Sequence, residues 1–468
     1  SDVYPKVVRW TVGNANRVTM VPTGHDLLIE HETPFRAALN DTDPDCDSIN
    51  RQSQRVSDRH FVLIDGHCRN ETYNMELTFF GDKVSRLSSV IEFLPYEPNV
   101  FLDYSDSVLA NCRQLPMLLL TNGRGAMSRM SAWLEEVQSK YDCVLAANLH
   151  SSLPVDRQVM AKRLRVWVNA NGFLTELGRT RLISFGAGER AWWLYEVPAG
   201  ESRSVQLKIT AEMLHGENLI RFCFEANSAK QSEEIEITVR LDVEDRSFHG
   251  ETKLDAETEK HFRDATSPLD EGVGFSFSPS RDRRLVAHAT CGRFFAEEEW
   301  CRDIPHSVEA ARGQEASGDA FSPGWFQLPV ELGQATELTI SINEPDAQPL
   351  GQVEDSVEGD DAENEEVWDA GWPRLGQTLN SAMNAFVVQR GEAKSIIAGY
   401  PWFLDWGRDS LIAVRGLIAA GRLDETRAVV GLFASHEKDG TIPNAIFGDN
   451  DSNRETSDAP LWLALTIE

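Results

Sequence analysis

The stretch Ile235–Val243, IEITVRLDV, alternates strictly between apolar and polar side chains. A period of two residues places successive side chains on opposite faces of an extended strand. The apolar set is Ile235, Ile237, Val239, Leu241 and Val243, and the polar set is Glu236, Thr238, Arg240 and Asp242. The stretch therefore predicts a half-buried β-strand whose polar side chains face water.

The same period dominates the chain from Val7 to about Ile342. Further predicted strands are Lys162–Asn169, Ser204–Thr210, Leu219–Glu225 and Glu337–Ile342, and turn signals such as Pro198–Gly200 separate them. Only Met127–Tyr141 interrupts the pattern with helical spacing. Regularly spaced strands with turns between them are typical of a β-sandwich. We therefore predict that residues 1–345 form a large antiparallel β-sandwich region of one or two packed units.

Two changes of composition follow the predicted strands. Residues 346–369 are crowded with Asp and Glu, which predicts a solvated acidic linker. The spacing of these carboxylates lacks the regular ligand pattern of a calcium loop, so we expect no metal site there. Beyond residue 370 the period becomes helical, beginning with Leu375, Leu379, Met383 and Phe386.

Three more helices are predicted after this first one. Leu411–Ala420 is apolar and stops at Gly421, the next helix is capped by Asp424, and the last is capped by Ser457 with Pro460 in its first turn. Successive antiparallel helices joined alternately by short and long connections place all the long connections at one end. Asp409 and Asp458 each follow a long loop, so both should lie on one rim. A helix cap is the alternative role for either aspartate.

The net charge of −29 and the pI near 4.8 argue against binding to nucleic acids or anionic membranes. Seven scattered cysteines without a CxxC pair suggest buried thiols in a reducing compartment. The sequence has no apolar run long enough to span a membrane. We therefore expect a soluble, cytoplasmic protein that needs no cofactor.

The two long loops carry side chains that suit a sugar. Indole rings stack on the C–H face of a pyranose, while carboxylates, amides and guanidinium groups bind its hydroxyls. Glycosidic cleavage additionally needs a pair of carboxyl groups. Trp462, one turn beyond Asp458, could give that carboxyl apolar cover. The candidate ligands are Tyr400, Trp402, Trp406, Arg408, Asp409, Asn444 and Trp462. Any one of the aromatic residues, taken alone, is more typical of a core residue.

The C-terminal hundred residues resemble the amylo-α-1,6-glucosidase domain of glycogen debranching enzymes. The resemblance is carried by AGYPWFLDWGRDSLIA (Ala398–Ala413), GLIAAGRLDETR (Gly416–Arg427), DGTIPN (Asp439–Asn444) and SDAPLW (Ser457–Trp462). It implies an (α/α)₆ barrel, of which residues 370–468 would be only a part. It also implies inverting release of glucose from the branch points of an α-glucan such as glycogen or limit dextrin.

The resemblance also implies roles for individual residues. Arg408 and Asp409 match the motif with which related glucoamylases grip the terminal glucose, and Asp458 matches the proposed general acid. The water-activating carboxylate would lie beyond Glu468, which would leave residues 1–468 alone inactive. The family usually has Tyr-Asn where this chain has Arg454-Glu455, so contacts from that loop should differ.

A weaker resemblance covers the β-rich region. TNGRG (Thr121–Gly125), SKYDCVLAANL (Ser139–Leu149) and Pro154–Phe173 are similar to the N-terminal part of bacterial debranching-type proteins. The carboxylate motifs of an amylase-type barrel are absent, so no glucanotransferase activity is expected. Two alternatives remain open: a glucan-binding fragment without catalysis, and a related disaccharide phosphorylase, whose phosphate pocket would need basic or hydroxyl residues.

Overall fold

The computed structural model describes residues 6–15, 17–22, 24–41, 48–66, 71–81, 83–94, 103–105, 116–150, 152–155, 157–188, 190–227, 234–343, 373–448, 450–451, 453–455 and 457–467. The predicted acidic linker, 346–369, lies outside these residues. The chain divides into two compact units, Ser1–Val100 with Asp361–Gln377, and Phe101–Asp360 with Thr378–Glu468. The boundaries that we placed at residues 345 and 370 stay predictions.

The first unit contains two sheets. Its strands are β1 (Val7–Trp10), β2 (Thr19–Val21), β3 (Asp26–His31), β4 (Phe35–Asp41), β5 (Ile49–Gln52), β6 (Gln54–Val56), β7 (Arg59–Ile64), β8 (Glu71–Phe80) and β9 (Val84–Phe93). The strand orders are β1-β3-β7-β6 and β2-β9-β8-β4-β5. Side chains of both sheets, including Trp10, Leu27, Phe35 and Tyr73, share one buried core.

The first sheet of the second unit has nine strands in the order β10-β16-β17-β18-β19-β28-β23-β22-β21. The bounds are β10 (Asp103–Ser105), β16 (Leu182–Ala187), β17 (Arg190–Pro198), β18 (Ser204–Met213), β19 (Leu219–Asn227), β21 (Thr266–Pro268), β22 (Val273–Ser280), β23 (Arg283–Ala289) and β28 (Ala335–Asn343).

The second sheet of this unit has ten strands, of which seven follow the order β11-β12-β13-β14-β20-β26-β25. The bounds are β11 (Met117–Thr121), β12 (Met127–Ser131), β13 (Cys143–Asn148), β14 (Arg157–Ala170), β15 (Phe173–Glu176), β20 (Ile235–Ser247), β24 (Arg293–Phe295), β25 (Glu299–Pro305), β26 (Ser317–Ser322) and β27 (Trp325–Pro329). Both sheets bury their inner faces in one continuous core. Two short helices accompany them, α1 (Ala256–Asp264) and α2 (Ser307–Ala310).

The N-terminal region is mostly β-sheet, as predicted, but two of its strand pairings, β1 with β3 and β2 with β9, are parallel and not antiparallel. All five apolar side chains of Ile235–Val243 are buried on the inner face of β20. Asp242, predicted to face water, is also buried, because Arg163 and Arg165 on β14 pair with its carboxylate. The helix predicted at Met127–Tyr141 is wrong. Residues Met127–Ser131 form β12, which is hydrogen-bonded on both sides to β11 and β13, and this sheet pairing outweighs the local spacing.

The C-terminal segment begins with α3 (Pro373–Asn384) and continues with a hairpin, β29 (Val387–Arg390) and β30 (Ala393–Ile396). This hairpin occupies part of the region that we predicted to be a loop. It is followed by α4 (Gly407–Ala419), α5 (Leu423–Ser435) and α6 (Ala459–Ile467). Their buried side chains, among them Leu411, Val414, Val429 and Phe433, form a separate core with the hairpin. The (α/α)₆ barrel stays a prediction.

Two of the predicted caps are wrong by one or two positions. Helix α5 already begins at Leu423, so Asp424 lies in its first turn and pairs with Arg427. Asp458, rather than Ser457, directly precedes α6, and its carbonyl accepts the first helical hydrogen bond from Trp462. Helix ends shift readily because end residues have few intrahelical hydrogen bonds.

Four cysteines lie in the described part of the chain, and all four are free thiols. Cys143 is buried as predicted, whereas Cys223, Cys291 and Cys301 are partly exposed. Cys46, Cys68 and Cys112 are outside the described residues.

Among the residues that the structure describes, no helix is both long and apolar enough to cross a bilayer.

Candidate active site

A buried arginine of the sandwich binds the main chain of the loop between β30 and α4. Arg157, at the start of β14, is fully buried. Its Nη1 donates to the carbonyl of Pro401 at 3.0 Å and its Nη2 to that of Phe403 at 3.0 Å, while Nε donates to Gly125 at 2.7 Å. Charged donors make the stronger hydrogen bonds in proteins. Hydrogen bonds from the sandwich therefore fix the main chain of the loop.

Tyr400 packs at the base of this loop. Its ring lies 4.4 Å from the guanidinium carbon of Arg157 and 5.9 Å from the ring of Phe386. The side chain is buried in an apolar cluster with residues of β13 and β14, and burial raises the pKa of Tyr400. The structure thus places this predicted sugar ligand where it has little surface to offer.

The other aromatic residues of the loop are more open. Trp402 is exposed and meets the ring of Tyr141 edge-on at 6.3 Å, with Arg312 at 5.8 Å from its own ring. Trp406 is half-buried and packs edge-on against the exposed Phe403 at 5.6 Å. Both indoles are therefore oriented by neighbours while part of each ring stays accessible.

Asp405 also fixes the loop, through a contact with the hairpin. It was not singled out from the sequence. Its carboxylate is fully buried, 3.1 Å from Nη1 of Arg390 on β29. Burial raises the pKa of Asp405, and the charge of Arg390 opposes that rise. Its carbonyl also accepts from the amide of Ile446. A lone carboxylate within the aromatic run WFLDW was the available signal for this anchor.

Arg408, Asp409 and Asp458 come together on one rim, which the connection lengths predicted for the two aspartates. Nη1 of Arg408 lies 3.6 Å from Oδ2 of Asp458, and Nε lies 3.8 Å from Oδ2 of Asp409. The three side chains are 40%, 40% and 39% exposed. These separations exceed those of direct hydrogen bonds. The ionic groups therefore retain donors and acceptors for a ligand.

The second long loop meets the first through its main chain. The carbonyl of Asn444 accepts from the amide of Gly407 at 2.9 Å, and the amide of Asn444 donates to Asn453 at 2.6 Å. The residue itself is almost completely buried. Asn444 thus joins the start of α4 to the loop that leads to Asp458.

Arg454, where the chain departs from the family pattern, braces this second loop. Its guanidinium donates to the carbonyls of Thr441 and His436 and to the carboxylate of Asp451.

Trp462 is half-buried and packs against the core of the helical segment. Its amide bonds to the carbonyl of Asp458, so its side chain lies one turn along α6 from the proposed acid.

Asp409 also lines a cavity of about 210 Å³. The remaining walls are apolar and come from α3, the hairpin and α4: Met383, Phe386, Val387, Ile396, Ile397, Ala398, Ala413 and Leu417. Within the described ranges, no group of three His, Cys, Asp or Glu side chains is arranged to hold a metal ion. The side chains that the structure describes at this rim are carboxylates, a guanidinium and indoles.

Two family models match the sequence. Residues 117–337 match the model described as glycogen debranching enzyme N terminal, and residues 381–468 match amylo-alpha-1,6-glucosidase. Together the matches span well over half of the chain and include every residue of the rim. Comparison with the sequences of curated proteins finds no match.

Two solved structures show distant likeness. A bacterial glucoamylase complexed with acarbose is 12% identical, with a TM-score of 0.38, and the match covers 75% of this chain and 56% of that one. A GalM/aldose epimerase homologue from C. elegans is 9% identical, with a TM-score of 0.30, and the match covers 49% of this chain and 99% of that one. The chain thus spans little more than half the length of the glucoamylase.

Proposed function

Because the chain belongs to the glycogen debranching enzyme family, we propose that it is a glycoside hydrolase of the amylo-α-1,6-glucosidase type. Its substrate is then a branched α-glucan, and its product is the glucose released at α-1,6 branch points. In this proposal α3 to α6 are the first helices of an (α/α)₆ barrel.

Asp458 is the general acid in this proposal. Inverting cleavage needs one carboxylic acid to protonate the glycosidic oxygen and a second carboxylate, on the other side of the sugar, to activate water. Asp458 lies at the N-terminus of α6 on the open rim, where its carboxyl can reach a ligand. The family resemblance assigns the second carboxylate to a position beyond residue 468, so Asp458 is the one catalytic residue proposed in this chain.

The glucose subsite consists of Trp402, Trp406, Arg408 and Asp409. Arg408 and Asp409 would bind hydroxyls of the terminal glucose, and the two indoles would offer apolar surface to the C–H face of a ring. Asn444 supports the site by joining the two loops, and Trp462 lies one turn beyond Asp458 along α6. Tyr400 contributes by anchoring the base of the loop in the apolar cluster that it shares with β13 and β14.

The observation that carries the proposal is the pairing of Arg408 with Asp458, whose Nη1 and Oδ2 atoms are 3.6 Å apart. These residues belong to two sequence motifs separated by about fifty positions. They meet because α4 and α6 both begin at the rim. A guanidinium within reach of a carboxylate, with indoles on the adjoining loop, favours a neutral hydroxylated substrate over a phosphorylated one.

The test uses protein that carries the complete barrel, and it measures free glucose and glucose 1-phosphate released from a branched dextrin, with and without inorganic phosphate. We expect free glucose in both conditions, and we expect Asp458→Asn to reduce its release at least about a hundredfold while retention on dextrin persists. The matched control is Asp424→Asn, which changes an exposed aspartate in the first turn of the neighbouring helix and should have no effect.

Three outcomes would contradict the proposal. Normal glucose release by Asp458→Asn would remove Asp458 as the acid. Phosphate-dependent formation of glucose 1-phosphate would make the protein a phosphorylase. Retention on dextrin without any glucose release, even when the protein is supplied with its complete barrel, would leave a glucan-binding function.

A further inference from the structure

A groove lies on the outer face of the ten-stranded sheet, away from the core. It has a volume of about 280 Å³ and is lined by Trp167, Leu174, Thr238, Arg240 and Trp325. The alternate residues of the same strands, among them Val166, Ile237 and Phe326, point into the core and are buried. Outer sheet faces usually carry polar residues, so two indoles and a leucine that is 68% exposed need a reason to be there.

The two indoles lie on strands that flank β20. Trp167 on β14 pairs in register with Thr238 on β20, and Thr238 pairs with Gln327 on β27, two residues from Trp325. Two steps between neighbouring strands make the lateral separation of the indoles about 10 Å. The hydroxyl of Thr238 and the guanidinium of Arg240 lie on the strand between them. The groove therefore combines aromatic walls with polar groups on its floor.

Trp325 is held in one orientation. Its ring stacks on Phe295, with centroids 4.2 Å apart and an interplanar angle of 15°. Its Nε1 donates to Oε2 of Glu297 at 3.3 Å. One face of the indole is thus covered by Phe295, and the other is left for the groove. A platform fixed in advance costs little conformational entropy when a ligand stacks on it.

The arginines of this face are already paired with acidic groups. Nη1 of Arg240 lies 3.3 Å from Glu299 and donates to the carbonyl of Glu297, and Arg165 pairs with Asp242. Arg163 and Arg165 share Asp242, and Arg165 and Arg240 share Glu299, while the carboxylate of Glu297 lies beside Trp325. Three carboxylates thus balance three arginines, so no net positive charge is offered to a phosphate or a nucleic acid, and the whole chain carries −29. The groove fits a neutral ligand that has both apolar C–H faces and hydroxyl groups.

The groove is separate from the rim around Asp458. Trp167 is ten residues along β14 from Arg157, the residue that holds the aromatic loop of the site. An extended strand rises ~3.3 Å per residue, so the two positions are roughly 30 Å apart. A ligand in the groove would accordingly leave the rim free for another part of the same polymer.

We propose that this groove is a second carbohydrate-binding site, which takes an unbranched segment of an α-glucan between Trp167 and Trp325. The choice of an α-glucan rests on the proposed function, whereas the preference for a neutral sugar rests on the groove itself. Because none of the described residues that line the groove is a carboxylate, the proposed role of the groove is to hold the polymer and not to cleave it.

The experiment measures retention of the whole protein on glycogen by affinity electrophoresis, with the variants Trp167→Ala and Trp325→Ala. We expect each to weaken binding about tenfold, the loss typical of a central aromatic contact. The matched control is Trp192→Ala, which removes a half-buried indole from the outer face of the other sheet and should leave retention unchanged. Circular dichroism and the unfolding temperature of each variant establish that the fold persists.

Two results would overturn the proposal: unchanged retention of both groove variants, or an equal loss in Trp192→Ala. Glucose release from a small branched oligosaccharide, too short to occupy both sites, should not respond to the groove variants. That readout separates the two hypotheses, since a failure of the proposed function appears as activity that survives Asp458→Asn, whereas a failure of the groove appears only in glycogen retention.

Discussion

Two regions of the second unit use the same charged groups in opposite ways. In the sandwich, Asp242 has no exposed surface, and its carboxylate lies 2.5 Å from Nε of Arg163 and 2.8 Å from Nη2 of Arg165. On the rim of the helical segment, Asp458 is 39% exposed and lies 3.6 Å from Nη1 of Arg408. Both are aspartates beside arginines. The hydrogen-bonding capacity of the Asp242 carboxylate is filled within the protein, whereas that of the Asp458 carboxylate is not.

The difference teaches how to separate a structural carboxylate from a candidate functional one. A buried ion pair is costly to desolvate and must fill its hydrogen-bonding capacity within the protein. An exposed pair contributes little to stability, with a median of about 0–1 kcal/mol, and keeps capacity for other ligands. Proximity to an arginine is thus uninformative alone, whereas burial and distance together discriminate.

The largest effect on stability is expected from Asp242→Asn. Removing the charge leaves Arg163 and Arg165 without their shared counter-ion in a buried position, which should cost about 3–5 kcal/mol in the free energy of unfolding. Chemical denaturation monitored by tryptophan fluorescence would measure it. A loss below about 1 kcal/mol would show that the sandwich pair behaves like the rim pair.

Glu135 extends the comparison to the pH dependence of the free energy of unfolding. Burial raises its pKa from the ordinary 4.5 of a glutamate to about 7, so between these pH values the unfolded chain ionises while the folded chain keeps the proton. The folded state is therefore progressively destabilised as pH rises through this window. Glu135→Gln should raise the free energy of unfolding by up to about 3 kcal/mol at pH 8 and leave it unchanged near pH 4. A pH-independent effect would contradict this.

Arg157→Lys tests the connection between the two regions. Lysine keeps the charge but cannot donate simultaneously to Gly125, Pro401 and Phe403, so we expect a loss of about 2 kcal/mol. The loop carrying Trp402 should also become easier to cleave in limited proteolysis. Arg179→Lys is a suitable control, because this arginine contacts Trp133 and none of the loop. Unchanged cleavage in Arg157→Lys would mean that the sandwich does not hold the loop.

The smallest effect on stability is expected from Asp458→Asn. The paired Arg408 is itself 40% exposed, so the loss should stay within about 0.5 kcal/mol even though glucose release is expected to fall steeply. Thermal unfolding of the variant beside Asp242→Asn would measure the contrast. A destabilisation comparable to that of Asp242→Asn would give Asp458 a structural role.

Several features of the site could be predicted because they depend on short stretches of chain. Connection lengths placed Asp409 and Asp458 at the same end of the helices, and the structure brings both to Arg408. The aromatic loop and Asn444 were also identified from composition and motif. Tyr400 was grouped with them because a motif does not distinguish an aromatic ring on a rim from one in a core.

The anchors of the loop were missed for a physical reason. Arg157 lies 244 residues before Pro401 and 246 before Phe403. Arg390, which pairs with Asp405, belongs to a hairpin that the sequence predicted to be a loop. Arg157 precedes the strand predicted at Lys162–Asn169, so the alternating pattern did not assign it to a face of the sheet. Only the docking of the helical segment on the sandwich turns it inward.

By itself, the sequence determined which faces of its elements could be buried, since a period of two or of about 3.6 residues is a local property of the chain. That was sufficient for the β-rich region and the helices after residue 370. Tertiary structure alone decided which face met which partner: it made a strand of Met127–Ser131, buried Asp242 and Tyr400, and fixed the aromatic loop to Arg157. Such outcomes depend on contacts between distant segments, whose free energy outweighs local preference.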